Sequence, residues 1–187
     1  MRHLTLILAT FFLAAATAVS VSAANPSVAE AAGGGKVKRC GGGKIFLNAK
    51  EKETFIRHNR IRRSHNLRTF CVHSKLQKAA RAHSRDMIRR DYFSHDTKGR
   101  GGFDERLKRF GYTPRGYKYY TVGENIAGGN GPYGEPGKIM RGWMKSSGHR
   151  RNILNGKFRQ IGIRTYTGTY KRHKGWTMYT ADFGTRR

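Results

Sequence analysis

Three short stretches place a histidine or a carboxylate beside aromatic or small residues at an element boundary. They are Tyr92-Phe93-Ser94-His95, Gly123-Glu124-Asn125-Ile126-Ala127, and the run from Trp143 to Leu154 that contains His149. Two neutral imidazoles facing one cleft can bind Zn²⁺ or another divalent cation, with a nearby carboxylate as a further ligand or as the group that orients a water. Catalytic zinc takes three protein ligands and a water, whereas His95, His149 and Glu124 offer two nitrogens and one acid, so the expected affinity is modest. A structural reading of the trio stands beside this one, in which both histidines hydrogen-bond Glu124 or each other's backbone and hold the cleft walls together. Asn125 is expected to satisfy backbone groups in the turn after Glu124, and Trp143 to lie in the core.

These residues need elements to carry them. Asn48 followed by Glu51 resembles a capping box, and the helical spacing of Phe55, Ile56, Asn59 and Arg62 predicts a first helix from about Ala49 to His65. The second, from about Ser74 to Asp91, puts Leu76, Ala79, Ala80, His83 and Met87 on one face, which makes His83 a hydrogen-bonded core histidine. A short helix from Phe103 to Phe110 turns Phe103, Leu107 and Phe110 inward and stops at Gly111, and Pro136 opens a helix with Ile139, Met140, Trp143 and Met144 on its buried stripe. Strands are expected over Tyr117 to Ala127, Gln160 to Thr167 and Trp176 to Phe183, the last two as a hairpin. Helices followed by strands without regular alternation indicate an α+β domain and not a doubly wound sheet.

Met1-Arg2-His3, the apolar run Leu4 to Val19 and the small residues Val21-Ser22-Ala23 read as a secretory signal peptide over residues 1–23. The run is shorter than the ~20 residues that span a bilayer, so no transmembrane span is expected in the mature chain. Residues 24–47, rich in Gly and basic residues, read as a linker, and residues 48–187 as the folded domain. Export favours oxidised thiols, and the chain has two cysteines, Cys40 and Cys71, which are expected to form one structural disulfide.

Thirty-eight Lys and Arg against 11 Asp and Glu give a formal charge of +27, while 37% hydrophobic residues suffice for a core, which excludes a wholly disordered basic tail. So strong a positive field attracts anionic polymers or membrane surfaces, nucleic acid included, but no recognition helix, zinc-finger spacing or RNA-binding aromatic signature accompanies it. Gly129, Gly131 and Gly134 fit a G-x-G-x-x-G pattern. Pro132 removes an amide from that loop and no acidic residue follows about 20 positions on, so it reads as a flexible connection and not a dinucleotide site. No G-x-S-x-G, P-loop, H-E-x-x-H or C-x-x-C occurs in the chain.

In its three motifs, and over roughly Asn48 to Phe183, the chain resembles a bacterial member of the CAP superfamily, the secreted group of cysteine-rich secretory, antigen 5 and pathogenesis-related proteins. The resemblance implies a three-layer α-β-α sandwich with a small, mainly antiparallel sheet and a central cleft. His95 matches the first cleft histidine, Glu124 the first cleft glutamate and His149 the second histidine. Animal and plant members usually carry another glutamate where this chain has Ser146, unless an acid such as Asp104 or Glu105 compensates. The loss of that glutamate leaves Glu124 as the candidate general base and weakens a hydrolytic mechanism. The expected function is a secreted or wall-associated binding module, whose cleft takes a small apolar or polymeric ligand while its cationic surface meets anionic envelope material. Whether it is an enzyme stays open. The alternatives are a metal-assisted hydrolase using His95, His149 and Glu124, and a binder of nucleic acid or acidic polymers through charge alone.

Overall fold

The computed structural model describes residues 33–187. The expected signal peptide, and the expected linker as far as residue 32, lie outside the described residues.

Among the described residues, five helices, α1 (Ala49–Ser64), α2 (Ser74–Arg89), α3 (Phe103–Arg109), α4 (Pro136–Lys145) and α5 (Ser147–Leu154), accompany six strands. β1 (Gly35–Lys38) and β2 (Lys44–Leu47) pair with each other, and β3 (Cys71–Val72), β4 (Tyr120–Gly129), β5 (Gln160–Tyr170) and β6 (His173–Arg186) form the main sheet. Its order is β3-β5-β6-β4, with β3 parallel to β5 and the other pairs antiparallel. Among the described residues no helix is long and apolar enough to cross a membrane.

The alternation of β6 sets the layers, because successive side chains point to opposite faces. Tyr179, Ala181 and Phe183 pack with Phe55 of α1, Met140 and Trp143 of α4 and Ile153 of α5. Met178 packs on the other face against Met87 and Ile88 of α2, and Ser84 donates to the Thr180 hydroxyl there at 2.8 Å. The result is the expected α-β-α sandwich. The approach of α2 to β5 is so close that a Cβ at Gly162 would lie 2.2 Å from the carbonyl carbon of Leu76.

Local signals explain most element ends. Asn48 and Glu51 form the capping box reciprocally at the start of α1. Gly111, at φ 81°, takes the left-handed conformation that ends α3.

Three expectations change. Residues 35–47 form a hairpin where the sequence predicted a linker: Gly41, Gly42 and Gly43 all have positive φ and make its turn, Leu47 is buried, and the Cys40–Cys71 disulfide fastens it beside β3. Residues 131–134 form a 3₁₀ turn and not a loose connection, and the Tyr179 hydroxyl donates to the Gly134 carbonyl at 2.7 Å. Helix α5 has no counterpart in the sequence reading, because Ser-Gly-His-Arg-Arg-Asn shows no apolar period.

Candidate functional site

Glu124 lies in the middle of β4 on the face turned toward α2 and α3, fully buried at the side chain. One carboxylate oxygen accepts from His95 Nδ1 at 2.8 Å, and the other accepts from Arg106 on α3. Burial opposes the charge of Glu124, but the bond from His95 and the Arg106 guanidinium outweigh it and hold the carboxyl below its ordinary value. An ionised carboxylate only accepts, so His95 donates through Nδ1, and in the neutral ring its Nε2 keeps the lone pair.

Sequence reasoning missed Arg106, which is almost wholly buried. Besides Glu124, its guanidinium donates to the His95 carbonyl at 3.1 Å and to the Thr97 hydroxyl at 2.9 Å, so it fixes both the acid and the loop that carries the imidazole. A signal for it existed: residue 106 lies three positions after Phe103 and four before Phe110, on the stripe that points inward.

His83 is the hydrogen-bonded core histidine its position predicts, since its Nε2 meets the Ser94 carbonyl at 2.8 Å, next to His95. Burial pushes it down to about 4 despite the neighbouring Glu124 charge, so it is neutral and Nε2 donates.

Asp182, cross-strand partner of Glu124 on β6, is also fully buried, and neither oxygen has a well-formed hydrogen bond among the described residues. Burial and the Glu124 charge push its pKa well above the usual carboxylate range, so it is a neutral acid. The acid beside the site is therefore Asp182. Asp104 pairs with Lys108 on the exposed side of α3, and Glu105 lies against Gly101.

His149 is reached from the other face of β4. Asn125, next after Glu124 and pointing the opposite way, donates to the His149 carbonyl at 3.0 Å. Asn152 donates to Asn125 Oδ1 at 2.9 Å and to the Glu124 carbonyl at 3.0 Å, and the Trp143 indole donates to the Ile126 carbonyl at 3.1 Å. Asn125 thus serves a backbone carbonyl, as expected, but one on a helix and not in a local turn. Among the described residues the His149 ring makes no hydrogen bond to Glu124 or His95; burial lowers its pKa, and the neighbouring His95 lowers it further.

His149 and Ser146 open onto a groove of about 520 Å³ walled by Ile126, Ala127 and Trp143 and flanked by Phe93 and Tyr133, which are 50% and 72% exposed. The resulting site has a half-exposed imidazole braced by a buried ion pair, and a second imidazole at the polar end of an apolar groove. Among the described residues no three His, Cys, Asp or Glu side chains group as a metal site. Both Glu124 oxygens already accept from His95 and Arg106, which leaves His95 Nε2 and the His149 ring as the nitrogens that could hold a cation.

The model of the cysteine-rich secretory protein family, CAP, matches residues 55–183. The chain is 37% identical over 117 residues to the uncharacterized protein YkwD of Bacillus subtilis, a match covering 63% of this chain and 42% of that protein. It is 32% identical over 120 residues to the uncharacterized membrane protein YlbC of the same organism, covering 64% of this chain and 32% of that one. It therefore spans less than half the length of either relative.

Among solved structures, an extracellular protein of Bacillus anthracis containing an SCP domain aligns with TM-score 0.56 at 30% identity, over 76% of this chain and 44% of that one. An outer surface protein of Borrelia burgdorferi aligns with TM-score 0.61 at 18% identity, over 82% of this chain and 99% of that one, and shares the fold.

Proposed function

The chain belongs to the CAP family of cysteine-rich secretory proteins, and from that premise we propose that it is an exported binding module rather than a hydrolase. The observation that carries this reading is the engagement of both Glu124 oxygens, by His95 and by Arg106. A general base needs a lone pair within reach of substrate, and this carboxylate is buried and used as a brace. The exposed chemistry is an apolar groove with His149 at one end, suited to a small apolar or polymeric ligand with a polar terminus. The cationic surface keeps the exported protein near anionic envelope material.

Native mass spectrometry of the protein recovered from its own growth medium tests this. A bound apolar molecule is expected, absent from a Phe93→Ser/Tyr133→Ser variant of unchanged thermal stability. An empty groove in the wild type, with peptide-bond cleavage that disappears in Glu124→Gln, would overturn the reading in favour of the hydrolase.

A second reading rests on the Glu124–His95 bond, since metal-binding histidines commonly donate their other nitrogen to a carboxylate. His95 Nε2 and His149 would then share a labile Zn²⁺ or similar cation. Zinc titration by calorimetry checks it: a single site lost in both His95→Ala and His149→Ala supports it, and unchanged zinc binding in both removes it.

A further inference from the structure

From Lys138 to Arg187 the chain has thirteen Lys and Arg and a single acidic side chain, the buried Asp182. No acidic side chain from this stretch therefore reaches the surface. Two depressions adjoin on either side of the turn after α5. One, of about 740 Å³, is lined by Lys145, Arg150 and Arg151 and reaches Leu154 and Asn155; the other, of about 360 Å³, begins at Gly156 and is lined by Lys157, Arg159, Arg186 and Arg187. No Asp or Glu among the described residues lines either.

Four acids elsewhere are paired with cations of their own: Glu53 with Arg57, Asp86 with Arg90, Asp104 with Lys108, Glu135 with Lys50. The two depressions are thus cationic along their linings, with no acidic side chain set among the Lys and Arg.

We propose that this end, from Arg150 and Arg151 across the turn at Asn155–Gly156 to Lys157 and Arg187, is a docking track for a flexible linear polyanion whose charges are phosphates spaced along a chain without bases. The track rests on the reading that surface charge holds the protein to anionic envelope material, and gives that reading a place and a chemistry. Guanidinium groups dominate it, and their planar forks pair with phosphate oxygens two at a time. The two tyrosines at this end each have one face taken, since the guanidinium of Arg186 lies 4.7 Å from the Tyr117 ring and that of Arg187 5.2 Å from the Tyr119 ring, which reduces the ring area left for stacking a base. Two separate depressions, one ending at Asn155 and the other beginning at Gly156, suit a flexible chain better than a stiff duplex.

Long-chain inorganic polyphosphate is the probe, with a single-stranded and a double-stranded DNA oligonucleotide at equal phosphate concentration as competitors, measured by fluorescence anisotropy over a salt series. The track variant is Arg150→Gln/Arg151→Gln/Lys157→Gln/Arg187→Gln, all exposed positions. The control removes four exposed cations that line neither depression, Lys98→Gln/Arg100→Gln/Arg172→Gln/Lys174→Gln. Circular dichroism melts verify that both fold.

The expected result is at least a tenfold loss of polyphosphate affinity in the track variant, less than threefold in the control, and a log-log salt slope shallower by about three for four lost contacts at ~0.7 each. Equal losses in the two variants would overturn the track and leave the charge reading standing. No polyphosphate binding by the wild type would overturn both. Tighter binding of either DNA would overturn the choice of partner and assign the track to nucleic acid.

Discussion

Glu124 and Asp182 face each other across paired strands, both buried, and only Glu124 carries charge. Arg106 decides which one, since its guanidinium bonds the Glu124 carboxylate.

Two adjacent acids should therefore respond oppositely to amide replacement. Asp182→Asn preserves a neutral group of the same size and is expected to leave stability at pH 7 within ~1 kcal/mol of wild type. Glu124→Gln strips the buried guanidinium of its counter-charge, and a loss of about 3 kcal/mol or more is expected. Urea denaturation of the two variants side by side measures the difference. A larger loss in Asp182→Asn than in Glu124→Gln would show that Asp182 is the charged member.

His58 should make the fold sensitive to mild acid. Its ring is fully buried among Phe70, Trp143 and Phe183, its Nδ1 lies 2.8 Å from the Thr54 carbonyl, and burial pushes it down to about 4. The unfolded chain takes up a proton near pH 6.5, and the folded protein does not until about 4. This contribution is complete above 6.5, declines as pH falls to 4, and is constant below. Its full size is roughly 3 kcal/mol. His58→Phe should flatten the pH dependence of the urea midpoint over that interval, though not wholly, because buried His83 titrates in the same window. A slope unchanged from wild type would mean that His58 takes up its proton as readily in the fold as in the unfolded chain.

The disulfide closes a loop with a sequence separation of 31, and by loop entropy stabilises the fold by about 3 to 4 kcal/mol. Replacing Cys40 and Cys71 by Ser is expected to lower stability by that amount. It should also open the β1–β2 hairpin to proteolysis before the main sheet, which mass spectrometry of timed digests would reveal.

Gly162→Ala is expected to cost about 3 kcal/mol, because the new methyl would meet the main chain of Leu76 and Gln77 and not a side chain that can turn away. Helix α2 must then lift off β5. The sign is that amide exchange accelerates along α2 while α1 stays protected.

The frame of the site was legible because its elements are amphipathic or punctuated: the stripe of α2, the capping box at Asn48, Pro136 at the first turn of α4 and Gly111 after α3 each have a local physical cause. His95 and Glu124 were found by motif, and they do meet. Arg106 and Asp182 escaped because burial of a charge or an acid is decided by partners remote in sequence. An arginine among phenylalanines reads locally as a solvated exception, and only tertiary contact makes it a brace. Helix α5 escaped for a related reason, since it is held by Asn125 and Asn152 across to β4 and not by an apolar face of its own length.

The outer edge of β4 has a consequence for how the protein lives with its own copies. Its carbonyls at Glu124 and Ile126 are taken by the Asn152 amide and the Trp143 indole. An unfinished sheet margin ordinarily invites a stray extended segment to add itself. Here two central acceptors that such a segment would seek are already taken by helices of the same molecule, which works against strand-to-strand aggregation when many copies crowd along one anionic surface.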